Sequence, residues 1–156
     1  MNAHGFTLIE LLVTLALMAL LATVALPLAQ VTQRRNNEEA LRIALWSMRD
    51  AIDQYKLASD EGKIQKSLSD SGYPPNLDVL VKGVVDQTSP TRKKMYFLRR
   101  IPRDPFCDCP SRSSEQTWGL RSYDSSPDAP RSGKDVFDVY SESRDVGLNG
   151  APYREW

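Results

Sequence analysis

Glu10 is the residue whose chemistry asks most of its surroundings. It is the one charged residue in the run Phe6–Leu28, FTLIELLVTLALMALLATVALPL. A carboxylate at the centre of a membrane-spanning helix costs about 2.5–3.5 kcal/mol on insertion scales, and such a residue marks a function or a partner. The run itself carries no Lys or Arg to pair with Glu10. Its counter-charge must come from elsewhere.

Three other groups carry chemistry. Cys107 and Cys109 are spaced C-x-C, with no second cysteine pair and with His4 as the lone histidine. That set is too small for a zinc centre. An intrachain bridge, a bridge between subunits and two free thiols all remain open for it. Arg92, Lys93, Lys94, Arg99, Arg100 and Arg103 form a basic cluster interleaved with Tyr96 and Phe97. Basic residues beside aromatics can hold phosphates and stack bases. A solvated face, or a contact to acidic patches on another subunit, is the commoner use, so nucleic acid is not the expected partner. Carboxylates are many, but no pair is marked out by unlike environments. There is no G-x-S-x-G with a partner histidine and no phosphate-binding loop. The expectation is no enzyme and no catalytic residue.

The elements that must position these groups divide sharply. The 156-residue chain has equal numbers of basic and acidic residues, but its apolar residues are concentrated at the N-terminus. Residues 6–28 would form a helix of about 34 Å, enough to cross a bilayer's hydrocarbon core. A helix apolar around its whole circumference is not the amphipathic helix of a soluble core. A secretory signal peptide cut near Ala22, Ala25 or Ala29 and a plain anchor are competing readings, and neither explains Glu10. From Gln30 to about Asp60 there is no Gly or Pro, and Leu41, Leu45, Met48, Ile52 and Tyr55 recur at helical spacing. Ala44, Ala51 and Ala58 widen that stripe, while Arg42, Arg49, Asp50, Asp53, Gln54 and Lys56 belong to the opposite side. One nearly continuous helix from Phe6 to about Asp60 is predicted, its second half packing on a head domain.

Gly5-Phe6-Thr7-Leu8-Ile9-Glu10-Leu11-Leu12-Val13 resembles the prepilin processing motif of type IV pilins and type II secretion pseudopilins. The resemblance implies a leader of residues 1–5, cleavage by a membrane peptidase between Gly5 and Phe6, and methylation of the new Phe6 amine. It implies assembly roles for Thr7, Glu10 and Pro27, the last at a place where the helix can melt in a filament. Cleavage supplies the missing cation. The Phe6 amine of the same or a neighbouring subunit would pair with Glu10, and a paired carboxylate is penalised far less than an unpaired one. The leader carries His4 but no Lys or Arg, whereas Arg34 and Arg35 follow the span. Loop charge therefore argues weakly against a cytoplasmic N-terminus, and the motif argues for it.

The rest of the chain, 61–156, reads as an extracytoplasmic head. Gly72-Tyr73-Pro74-Pro75-Asn76 is a loop, with Asn76 capping a short helix Leu77–Lys82 closed by Gly83. Residues 86–93 form a polar loop. Met95–Leu98, Thr117–Tyr123 and Val136–Ser141 read as strands, with Asp124–Lys134 a turn between the last two. The tail ends in Tyr153-Arg154-Glu155-Trp156, an aromatic end expected to be pinned to the sheet. The predicted fold is α+β: a long N-terminal helix, transmembrane over 6–28 and amphipathic over 29–60, packed on a head with a short helix and a three-stranded antiparallel sheet.

Within the superfamily, Tyr73-Pro74, Ile101-Pro102-Arg103-Asp104-Pro105 and Asp135-Val136-Phe137-Asp138-Val139-Tyr140-Ser141 resemble the head of the major pseudopilin of type II secretion systems. That resemblance raises calcium, which major pseudopilins bind in an acidic loop near the C-terminus. Glu142, Asp145 and Asn149 are the weak candidates here, in a shorter and less acidic loop that also holds Arg144. Calcium takes six to eight oxygens, so no metal is expected with any force. The implied function is a pseudopilin of the bacterial inner membrane, N-terminus cytoplasmic and head periplasmic. Its implied partners are copies of itself, other pseudopilins, the prepilin peptidase and an inner-membrane assembly platform. A type IV pilus subunit serving adhesion, motility or DNA uptake, and a membrane-anchored binding domain that never polymerises, are the alternatives.

Overall fold

The computed structural model describes residues 7–67 and 69–156. Helix α1 runs Leu8–Asp60, with Pro27 inside it. Two compact units divide the chain, one ending at Asn37 and the other running from Glu38 to Trp156.

Among the described residues of the first unit, the helix buries no side chain. Leu8, Leu12, Leu15, Met18 and Leu21 are all more than half exposed. An 18-residue window of α1 reaches a mean hydropathy of 2.5 with none of it buried within the chain. In water such a surface would be strongly unfavourable, at roughly 25 cal/mol per Å² of apolar area. The segment is long and apolar enough to cross a membrane.

The second unit is organised on the predicted stripe. Leu41, Leu45, Met48, Ile52 and Tyr55 are buried, as are Ala44, Ala51 and Ala58. They meet Leu77, Leu80, Trp118, Val136, Val139 and Tyr153 in one core. Each fully buried large side chain contributes about 1.5–3 kcal/mol. Several residues read as belonging to the opposite side are drawn in, Arg42 among them, over the Trp156 ring. Arg49 turns toward Asp138, and Lys56 lies over the Tyr73 ring.

Helix α2, Asp78–Lys82, follows the loop at Tyr73-Pro74. Asn76 Oδ1 accepts the Val79 N–H at 3.1 Å, so the expected residue satisfies the first turn from one position further out. Gly83 closes the helix at φ 73°, and a Cβ there would overlap the Met95 carbonyl and the Tyr96 ring. Only glycine meets both demands.

The expected three-stranded sheet is instead two two-stranded sheets. Strand β1, Val84–Val85, pairs antiparallel with β2, Lys94–Met95, across the predicted 86–93 loop. Beyond Met95 the expected strand fails because its donors go elsewhere. Phe97 and Leu98 both give their N–H to the Leu80 carbonyl at the end of α2. Strand β3, Trp118–Arg121, pairs antiparallel with β4, Asp138–Ser141, in the register Trp118↔Ser141 to Arg121↔Asp138. Both are shorter than predicted. Thr117 belongs to a 3-10 turn, and the Tyr123 N–H goes to the Asp135 carboxylate. The class is α+β as expected.

Candidate assembly helix and head determinants

The start of α1 is built on Thr7. Its hydroxyl accepts the Glu10 N–H at 3.3 Å, and its carbonyl accepts the Leu11 N–H at 3.2 Å. Thr7-x-x-Glu10 thus has the spacing of a capping box, with Thr7 at the cap and Glu10 at the third helical position. The helix dipole favours a negative charge in that first turn. Local capping therefore gives Glu10 one physical reason for its place. The capping pattern was readable in the sequence from Thr7 and Glu10 together. Gly5 and Phe6 lie outside the described residues. Pro27 sits within the helix, where it cannot donate to the carbonyl one turn back.

The head is fastened by charged groups that the sequence reading left without roles. Glu38 is 7% exposed. Its Oε1 accepts the Leu148 N–H at 2.7 Å and the Tyr153 hydroxyl at 2.9 Å, linking α1 to the C-terminal loop. Tyr153 is fully buried, stacks on Phe106 at 4.0 Å between centroids and meets the Trp156 ring edge-on. Trp156 is pinned, but by the tail and by α1 rather than by the sheet as expected. Arg42 lies over its ring at 4.8 Å, and Arg49 donates to its main-chain oxygen at 2.7 Å. Arg49 also donates to Asp138 at 2.8 Å, so one guanidinium holds β4 and the tail together.

Asp104, in the Ile101–Phe106 stretch, is 2% exposed. It accepts the Ser141 hydroxyl at 2.6 Å and the Phe106 N–H at 2.8 Å, while its own N–H goes to Thr117 Oγ1. Trp118 Nε1 donates to the Pro102 carbonyl at 2.9 Å. These bonds fix the middle of the head to both long strands. Asp135 closes the Asp124–Lys134 turn by accepting from Ser71, Ser122 and the Tyr123 N–H. Burial alone would raise its carboxyl, but those three hydrogen bonds outweigh burial and hold it below the usual range.

Cys107 and Cys109 are joined to each other, with Cα atoms 5.3 Å apart. The surrounding loop is clamped by Arg103, which donates to the carbonyls of Arg112, at 2.7 Å, and Cys109. This accounts for one member of the basic cluster. Phe97 packs edge-on against Tyr55 at 5.4 Å, so of the two aromatics interleaved there Tyr96 is the exposed one.

Two side chains of the acidic loop have partners within the head. Glu142 pairs with Arg112 at 3.1 Å, and Asn149 Oδ1 accepts the Ala151 N–H at 3.0 Å. Asp145 lends its carbonyl to the Tyr153 N–H. Among the described residues, no three His, Cys, Asp or Glu side chains come together as a metal site. Glu38 supplies a carboxylate that ties this loop to α1.

The family described as "Prokaryotic N-terminal methylation motif" matches residues 1–26. Type II secretion system core protein G of Klebsiella michiganensis is 24% identical over 109 residues, covering 67% of this chain and 69% of that protein. The chain thus carries the N-terminal methylation motif at its start and is similar to core protein G over about two thirds of its length. No solved structure matches it. The methylation motif covers Thr7 and Glu10, and the likeness to core protein G reaches beyond it into the head.

Proposed function

We propose that this chain is a pseudopilin subunit, processed between Gly5 and Phe6, methylated on Phe6 and polymerised into a pseudopilus that serves type II protein secretion. The observation that carries this reading is an exposed apolar helix whose single charge lies in its first turn, within a match to the methylation motif. The segment waits in the inner membrane with its N-terminus in the cytoplasm and the head in the periplasm. Lateral packing of these helices covers apolar surface that stands exposed among the described residues. Glu10 sets the register, because only subunits docked so that a Phe6 amine reaches it satisfy both charges. Pro27 weakens one helical turn and lets the helix extend as subunits are drawn from the bilayer.

The role is structural and mechanical rather than enzymatic, and energy comes from a separate cytoplasmic motor. Copies of the chain, other pseudopilins, the prepilin peptidase and the assembly platform are its partners. Ile43, Trp46 and Leu57, on the outer face of α1 and each at least 59% exposed, offer apolar surface for those contacts. The test is Glu10→Ala in the full chain. Processing and membrane insertion should persist while filament assembly and secretion are lost. Filaments of normal length from Glu10→Ala would refute the register role. Failure of the unaltered chain to be cleaved at Gly5 would refute the pseudopilin reading itself.

A further inference from the structure

Cys107 and Cys109 enclose a single residue, Asp108, which is exposed. A disulfide stabilises chiefly by closing loops in the unfolded chain, and its effect grows with loop length. A loop this short gains very little. The surrounding segment is also held without the bridge. Arg103 binds the carbonyls of Cys109 and Arg112, the Cys107 N–H goes to the Asp104 carbonyl, and the Arg112 N–H goes to the Cys109 carbonyl. Both cysteines are partly exposed rather than buried in the core. The bridge therefore does not act as a staple.

A second observation concerns charge. Arg103 Nη2 lies 3.5 Å from Cys109 Sγ. A guanidinium at that distance stabilises a thiolate and does nothing comparable for a disulfide sulfur. Asp108 opposes it from between the two cysteines, and the Arg112 side chain is engaged with Glu142. Arg103 is thus the cation that distinguishes Cys109 from Cys107.

We propose that Cys107–Cys109 is a thiol–disulfide exchange site on the head, taking electrons from an external dithiol, with Arg103 as its positioning residue. An external thiolate attacks Cys107 Sγ. The Cys107–Cys109 bond breaks, and its electron pair leaves on Cys109 as a thiolate beside Arg103. The lower-pKa thiol is the better leaving group. The donor's second thiolate then attacks its own sulfur in the mixed disulfide and expels Cys107. The donor ends as a disulfide, and the chain ends as a dithiol with two electrons gained and with protons taken from water. Because Arg103 stabilises the reduced form, it makes the site more oxidising.

The experiment equilibrates the full chain in detergent micelles with glutathione redox buffers. Free thiols are counted by the gel shift of a polymer-tagged maleimide, and folding is followed by circular dichroism. The folded chain should pass reversibly between disulfide and dithiol within the glutathione range. Arg103→Gln should shift the balance toward the disulfide by up to about fivefold, about 20 mV, as for an exposed charge pair. Arg103→Lys, which keeps the cation, should stay near the unaltered chain. Acid quenching followed by peptide mapping should find glutathione on Cys107. A bridge that resists every glutathione buffer overturns the proposal. So does an Arg103→Gln balance that is unchanged or moved toward the dithiol, the direction expected if Arg103 merely shaped the loop. Glutathione found on Cys109 would overturn the assigned order of attack.

Discussion

Replacing Glu38 by alanine should loosen the whole C-terminal third of the head. The Glu38 Oε1 atom accepts the Leu148 N–H at 2.7 Å and the Tyr153 hydroxyl at 2.9 Å. Hydrogen bonds to a carboxylate are worth about 1.5–3 kcal/mol each, and a buried donor left unmade costs about 1–3 kcal/mol. Tyr153 is fully buried, so its hydroxyl has no ready access to water after the change. The Leu148 N–H lies nearer the surface and is partly rescued by solvent. The sum is a loss of about 2–4 kcal/mol. At about 4 °C per kcal/mol for a unit of this size, the unfolding midpoint should fall by roughly 8–16 °C. Glu38→Gln keeps an acceptor oxygen at the same place and should cost about 1 kcal/mol. Thermal unfolding of the full chain in detergent, followed by near-ultraviolet circular dichroism of the tail's Tyr and Trp residues, reads both. In the same assay, excess calcium should leave the midpoint of the unaltered chain where it is. A fall of less than about 3 °C for Glu38→Ala would refute the tie. So would glutamine and alanine being equally damaging. A clear rise with calcium would refute the view that the helix carboxylate does what a cation would do.

Three further outcomes follow from the same structure. Asp104→Ala should cost about 2–4 kcal/mol, because Ser141 and the Phe106 N–H lose a buried acceptor; denaturant unfolding measures it, and a change under 1 kcal/mol would contradict the assignment. Gly119→Ala should destabilise by about 1–3 kcal/mol, since a Cβ there overlaps the Tyr140 ring on the paired strand, and Tyr140→Ala in the same chain should remove that penalty. Asp135 has a folded-state pKa below its unfolded value, so its contribution is fully present above the unfolded carboxylate pKa of about 4 and is lost as pH falls through the folded value. Asp135→Asn should accordingly flatten the acid limb of the stability–pH curve below about pH 4, and an unaltered limb would remove Asp135 from the account.

The long helix and its division of labour were legible in the sequence because both depend on local pattern. Apolar residues on every side from Phe6 to Leu28 leave no face for a soluble core, and the stripe Leu41–Tyr55 is one face at helical spacing. Thr7 and Glu10 are three residues apart, so the cap they form is local as well. Residue type and spacing also argued against a zinc centre and made calcium a weak reading. Tertiary structure decided what depends on residues distant in sequence. Met95–Leu98 has the composition of a strand, but Leu80 takes the N–H groups of Phe97 and Leu98, so the strand stops at Met95. Glu38 reads as one more charge on a helix, and its partners lie 110 and 115 residues away. The acidic loop and the basic cluster were visible as composition. Which of their side chains were already engaged, Glu142 by Arg112 and Arg103 by the Cys107–Arg112 loop, was fixed only when the chain closed on itself. Periodicity reports which face of an element is apolar. It does not report which donor meets which acceptor, because that pairing is set by the packing of the whole head.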